Sequence, residues 1–248
     1  MIKFFRKIRQ KLLSEGKTGK YFKYAIGEII LVVIGILIAL SINNWNENRK
    51  LKKAKTEYYI QLVEELNLDI KESEPHLKRI EQSISGYDTY LTTFETPNMP
   101  LDAIYLNIKK VDPIFAPTRF NTKTIEVLKS TGDIKLMPKT IRNLLIRLEN
   151  QHNLYVEEND TNYGLYLNTT IDAYLINAFS LQNMLVNQEQ LSNALNIKTN
   201  FADQIAKLHM SLSLKNFAER NEIESLKNIL SLTHKLKNII EEELLINE

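Results

Sequence analysis

Residues 29–42, IILVVIGILIALSI, carry no charged side chain and are almost wholly aliphatic. Widened to the flanking aromatics, the stretch runs from Tyr24 to Trp45, 22 residues. At about 1.5 Å of rise per residue it makes a helix of roughly 30 Å, the thickness of a bilayer's hydrocarbon core. A buried core helix is seldom apolar on every face over such a length. A cleaved leader is the rival reading, because Ala39 and Ser41 have the small-residue spacing of a cleavage site. The apolar region of a leader is shorter, about 7–15 residues. The stretch therefore reads as a membrane-spanning helix, with Tyr21 and Tyr24 at one interface and Trp45 at the other.

The flanks set the orientation. Residues 1–23 hold eight Lys/Arg and one acid, Glu15, whereas five basic residues (Arg49, Lys50, Lys52, Lys53 and Lys55) follow the span before acids become common. The excess predicts a cytoplasmic N-terminus and an exported C-terminal part, periplasmic in a bacterial inner membrane. Phe4, Phe5, Ile8 and Leu12 recur at helical spacing among the basic residues. Such a segment either lies on the anionic cytoplasmic leaflet or serves only as a topology signal, with Gly16 and Gly19 as its hinge. A membrane surface accounts for this charge without nucleic acid.

Within the span, Glu28 is an ionisable group about one turn inside Tyr24. Intramembrane carboxylates mark ion paths or polar helix contacts, and at this depth one can also snorkel toward Lys20 or Lys23. Gly35 and Ala39 form a small-xxx-small pair that permits close helix packing. Glu28, Gly35 and Ala39 together are the candidate association or ion site of the span.

Beyond the span the chain reads as long helices. It has only seven Gly and six Pro in 248 residues, about half the usual share, and no Cys. Tyr59, Val63, Leu66, Ile70, Ser73, Leu77, Ile80, Ile84, Tyr87, Leu91 and Phe94 alternate in steps of four and three, the signature of a coiled coil or bundle. Pro75 falls inside this run and predicts a kink or short break near residues 71–75. Four of the six prolines lie between Pro97 and Pro117, so a mainly non-helical insert is expected at about residues 95–137. Short helices fit Leu101 to Ile108 and Thr122 to Ser130, the second with Asn121 or Thr122 as cap and Gly132 as its stop. The extended stretch between them offers Phe115, Arg119 and Phe120 either as a partner surface or as a plug for the bundle.

Pro138 suits the start of a third long helix, with Ile141, Leu145, Leu148, His152, Tyr155, Asn159, Tyr163, Tyr166 and Tyr174 facing inward through about residue 182. His152 and Asn159 face a partner helix, specify register or line a hydrated groove. A polar turn follows around Asn183 to Gln190. The last helix carries Phe201, Ile205, Leu208 and Leu212, then Ile223, Leu226, Leu230, Leu236, Ile240 and Leu244. The expected fold class is all-α: a basic segment (1–23), a transmembrane helix (24–45) and an elongated, coiled-coil-like extracytoplasmic bundle (46–248).

Two stretches carry a family resemblance. Residues 4–50, which include YAIGEIILVVIGILIALSINNWNE, resemble the N-terminal signature of single-pass bacterial membrane proteins catalogued only as a domain of unknown function. Residues 115–146, FAPTRFNTKTIEVLKSTGDIKLMPKTIRNLLI, are more loosely similar to it. The resemblance implies an inner-membrane protein with an extracytoplasmic helical domain, and it brings no activity, substrate or catalytic residue.

The sequence holds few signs of chemistry. His76, His152, His209 and His234 are scattered, with no paired metal-ligand spacing, and no phosphate-cradling glycine loop or nucleophile elbow occurs. Acid runs such as Glu64–Glu65, Glu157–Glu158 and Glu241–Glu243 read as solvated helix faces. The expectation is no enzyme, no cofactor, no metal and no nucleic acid. The leading reading is a membrane-tethered interaction or scaffold protein that binds itself or another membrane or periplasmic protein. A signal-relay component and a proton- or ion-conducting subunit built on Glu28 are the alternatives. The overall charge of +2 combines a strongly basic leader with a mildly acidic remainder, 24 basic and 28 acidic residues over 46–248.

Overall fold

A computed structural model describes residue 14, residues 18–175 and residues 187–247. The expected amphipathic helix with Phe4, Phe5, Ile8 and Leu12 lies outside the described residues. So do the third helix beyond Leu175 and the start of the polar turn at Asn183. Among the described residues all regular structure is helical. The helices are α1 (Thr18–Thr92), α2 (Leu101–Ile108), α3 (Lys123–Thr131), α4 (Lys139–Leu175), α5 (Glu189–Ala194) and α6 (Ile197–Asn247). Short 3₁₀ turns follow α1 at Thr93–Glu95 and α3 at Asp133–Leu136. The insert is thus an alternation of short helices and extended chain.

The chain divides into two compact units, Met1–Glu57 and Tyr58–Glu248, and α1 contributes to both. In the first unit the apolar run forms the only helix among the described residues that is long and apolar enough to cross a membrane, and none of its apolar window is buried within the chain. Its length and composition fit a membrane anchor and a signal sequence alike.

The second unit is a bundle of the later part of α1 with α4 and α6. Ion pairs Glu74–His234, Glu81–Lys227 and Asp88–Arg220 step in opposite directions along α1 and α6, so these helices run antiparallel. Between α1 and α4 the chain returns along α1. Arg79 donates to the carbonyls of Ile114 and Ala116, Asp69 accepts from Asn121, Glu65 caps α3 at Thr124, and Tyr58 donates to Asp133 at 2.7 Å. The Glu65 carboxylate meets both the N–H and the hydroxyl of Thr124, so α1 supplies the first-turn acceptor that Thr122, bonded to Glu126, does not. Gly132 ends α3 at φ 81°, a left-handed conformation in which a Cβ would be strained.

Two findings correct the expected pattern of α1. The helix continues through Pro75 without a break. Proline deletes one backbone bond, and the packed residues on either side, Leu66 and Ile80, hold the register. The inward stripe also differs in alternate positions. Tyr59, Leu66, Ser73, Ile80 and Tyr87 are buried as expected, but between them Leu62, Asp69, Ser83 and Tyr90 lie deeper than Val63, Ile70, Ile84 and Leu91. Leu91 and Phe94 are exposed, at 40% and 43%.

The apolar core has one large cluster, in which Tyr59, Leu62, Leu66 and Ile80 meet Ile125, Leu128, Ile141, Leu145, Leu148, Leu226, Leu236 and Ile240. A second gathers Tyr87, Tyr90, Ile108, Val111, Ile205, Leu208 and Leu212. Between them on α6, Ala218 packs with Phe115 and Tyr166, and the other buried positions are Lys215, Glu219 and Glu222.

Candidate functional site

Residues 165–248 contain neither Gly nor Pro, and α6 runs through most of that stretch as one helix. Its buried seam reads Ile205, Leu208, Leu212, Lys215, Glu219, Glu222, Leu226, Ile229, Thr233, Leu236, Ile240. The steps are three and four throughout, so three consecutive seam positions are ionisable. Lys215, Glu219 and Glu222 are 2%, 1% and 2% exposed, where an uncompensated charge would be very costly.

Compensation comes from the neighbouring helices. Lys215 Nζ donates to Glu219 Oε1 at 2.7 Å and to Ser83 Oγ at 2.5 Å, and Ser83 donates to Glu219 Oε2 at 2.8 Å. The three groups close a ring between α1 and α6. Burial pushes the Glu219 carboxyl up, and the bonds from Lys215 and Ser83 pull against it. One turn further on, Glu222 Oε1 accepts from His76 Nε2 at 2.6 Å and from the Tyr155 hydroxyl. Arg79 donates to His76 Nδ1 at 3.3 Å, which assigns the ring proton to Nε2. Burial, reinforced by Glu222, holds the Tyr155 phenol far above its usual range and therefore protonated. The relay Arg79–His76–Glu222–Tyr155 links the return segment, α1, α6 and α4. Glu222 Oε2 is buried without a partner.

Ser83 beside Lys215 and His76 beside Glu222 are the residue pairs from which nucleophiles and bases are built. Here their donors are already committed. Ser83 gives its proton to Glu219, Lys215 donates to both neighbours, and Ser83 is only 4% exposed. The arrangement is suited to fixing helix positions. Among the described residues no group of three His, Asp or Glu side chains is placed to hold a metal ion.

Three further polar side chains line the same interior. His152 is 2% exposed and stacks on Phe120 with centroids 4.1 Å apart and planes 8° from parallel, and neither ring nitrogen has a hydrogen-bond partner. Burial lowers its pKa to about 4. Asp69 is also 2% exposed and accepts two bonds from Asn121 through Oδ1, leaving Oδ2 without a partner. Burial raises its pKa to about 6 against the lowering effect of those bonds. Asn159 Nδ2 donates to the Tyr155 carbonyl.

The residues nominated from sequence fall elsewhere. Gly35 and Ala39 are exposed on α1, where a Cβ at Gly35 would meet nothing within 4 Å, and Glu28 is half-buried. Trp45 is exposed, with the Arg49 guanidinium 5.4 Å from its ring. Tyr21 and Tyr24 lie in α1, and their side chains are outside the described residues. Of the partner surface, Phe115 is buried against Tyr166, and Phe120 packs on His152 and edge-on to Tyr155. Arg119 remains exposed and pairs with Asp160 at 2.5 Å. Both aromatics turn inward because the extended segment lies in the groove between α1 and α4. In the sequence the charges of Lys215, Glu219 and Glu222 read as gaps in an apolar pattern, although the spacing from Leu212 to Leu226 continues through them.

The model of a family of unknown function, DUF6090, matches residues 28–207. The chain belongs to this family. The DUF6090 match begins at Glu28, takes in the apolar run, the return segment and α4, and ends in α6 before Lys215. His76, Ser83 and Tyr155 lie within it, and their α6 partners lie past its end. No curated protein and no solved structure matches the chain.

Proposed function

We propose that the protein is a membrane-anchored interaction module of a bacterial inner membrane. It is tethered by the helix through Tyr24–Trp45, with residues 1–23 cytoplasmic and the bundle periplasmic. The observation that carries this reading is the contrast in burial. The apolar window of α1 has no residue covered by the chain, whereas the bundle's seams are closed by its own side chains. The exposed Trp45–Arg49 pair suits a headgroup region, where an aromatic ring and a cation are both favourable. Ser83, Lys215 and Glu219 bond one another in the interior and leave the surface as the face open to partners, which supports a binding role.

The anchor is tested by single-cysteine labelling, since the native chain has no cysteine. Ser14→Cys and Ser231→Cys variants in intact spheroplasts are treated with a membrane-impermeant maleimide. Labelling of Ser231→Cys in intact cells, with Ser14→Cys labelled only after lysis, is expected, together with resistance to carbonate extraction. Carbonate release, or equal labelling of both sites before lysis, overturns the anchor. Partner binding is tested by affinity capture from native membranes, with the isolated apolar helix as control.

A relay role is the second reading. It is favoured by one feature: a single helix, Thr18–Thr92, holds both the apolar window and the α1 stripe with His76 and Ser83. Substitution of Glu28 by Gln without effect on self-association or on any downstream output removes the version of this reading that depends on the span's carboxylate.

A further inference from the structure

α4 has two flanks, and they are occupied differently. On the flank toward α1 the return segment inserts Phe115 and Phe120, while Arg119 reaches Asp160 and Lys129 reaches Glu149 of α4. The opposite flank forms an open groove with α6 of about 640 Å³, lined by Leu154, Glu157, Glu158, Thr161, Phe217 and Asn221 among others, all from these two helices. Leu154 and Phe217 are 58% and 63% exposed. Leu165 and Met210, further along the same faces, are 53% and 56% exposed.

Charge separates the possible occupants. From Leu148 through Ile197 the sequence has six acids and no Lys or Arg. Glu157, Glu158 and Asp172 are exposed and form no ion pair with a described residue. The neighbouring cations of α6 are engaged toward α1, Arg220 with Asp88 and Lys227 with Glu81. A second copy presenting this same face would set its own Glu157 and Glu158 against these acids, because the exposed cations along those faces, Arg147 and Lys207, lie outside the groove. The filled flank already displays the complementary chemistry, large apolar side chains flanked by Arg and Lys.

We propose that the α4/α6 groove is the docking surface for an amphipathic helix of another protein that carries Lys or Arg beside large apolar side chains. Leu154 and Phe217 receive the apolar anchors, and Glu157 and Glu158 receive the cations. This rests on the interaction reading above and names its surface and the chemistry of its partner.

The test uses the full chain in phosphatidylcholine nanodiscs, with empty nanodiscs as blank. The probes are two fluorescein-labelled amphipathic peptides, one of leucine and lysine and one of leucine and glutamate. Saturable binding of the lysine peptide alone is expected, weakened by salt. About a tenfold loss is expected in the Glu157→Lys/Glu158→Lys double variant, and separately in Phe217→Ser. These side chains are exposed, and unchanged circular-dichroism melts verify folding. Absence of binding, equal affinity of the two peptides, or affinity unchanged in the variants overturns the proposal. So does a dimer in wild type that Phe217→Ser dissolves, which would make the occupant a second copy. A native partner captured equally well by the variants overturns the groove and leaves the anchored-module reading standing.

Discussion

The two halves of the α6 seam share one spacing and differ in substance. From Leu226 to Ile240 the buried positions are almost all aliphatic, and they close the large core cluster with α1 and α4. From Lys215 to Glu222 three of the four are ionisable side chains hydrogen-bonded to Ser83, His76 and Tyr155. Burial of hydrocarbon is non-directional, so the first half holds the helices together without specifying how they face each other. The ring and relay of the second half are satisfied in one arrangement only. Its desolvation cost offsets much of its attraction, so its contribution lies in selecting the register.

The sharpest way to break this contrast is Lys215→Met. It leaves Glu219 buried with Ser83 as its remaining partner and is expected to cost about 3–5 kcal/mol in urea unfolding of the solubilised protein. Adding Glu219→Leu to it is expected to recover most of the loss. A double variant as unstable as the single one would mean that the charged half is itself a main source of stability. In the apolar half, Leu236→Ala removes a fully enclosed side chain and is expected to cost about 2–5 kcal/mol, with no second substitution on α1 restoring it simply by removing a polar group.

Acidity sharpens the comparison further, because the polar interior contains two opposed titrations. His152 has a folded pKa near 4 against an ordinary 6.5. Over that interval the unfolded chain takes up a proton that the native state refuses, so stability falls as pH drops from 6.5 toward 4. Asp69 has a folded pKa near 6 against 3.8. Here the native state takes up the proton first, so its contribution is present at low pH and is lost as pH rises through 6. Each amounts to at most about 3 kcal/mol, and the two oppose each other between pH 4 and 6. Relative to wild type, Asp69→Asn is expected to lose stability between pH 6.5 and 4.5, and His152→Phe to gain it, in urea melts at the two values. The smallest effect is expected at the surface. Arg220→Ala removes a pair with Asp88 in which both side chains are about half exposed, and the same melts should move by less than about 1 kcal/mol.

The pattern of apolar residues was enough for the apolar span, the long helices and the short α2 and α3, because each is signalled by composition, spacing or a cap. It was not enough for the middle of the bundle. In α1 the apolar spacing points to Val63, Ile70, Leu77 and Ile84, whereas Leu62, Asp69 and Ser83, one residue earlier, lie deeper than their neighbours, and His76 beside Leu77 bonds Glu222. Three of those four are polar and become seam residues only through partners far along the chain, Asn121 for Asp69 and α6 for His76 and Ser83. Lys215, Glu219 and Glu222 are hidden from an apolar pattern for the same reason. Phe115 and Phe120 lie in extended chain, as expected, but the groove that takes them is made by α1 and α4 together, and no local pattern describes it.

The return segment and the late position of α6 also impose an order in time. Ser83 meets Glu219 across 136 residues and His76 meets Glu222 across 146. At synthesis rates of about 5–20 residues per second, α1 waits on the order of ten to thirty seconds for the helix that covers it. During that interval Asp69, Ser73, His76 and Ser83 keep its unpaired stripe from being a continuous oily band. The polar seam thus gives the newborn chain a wettable middle before it gives the finished bundle its register.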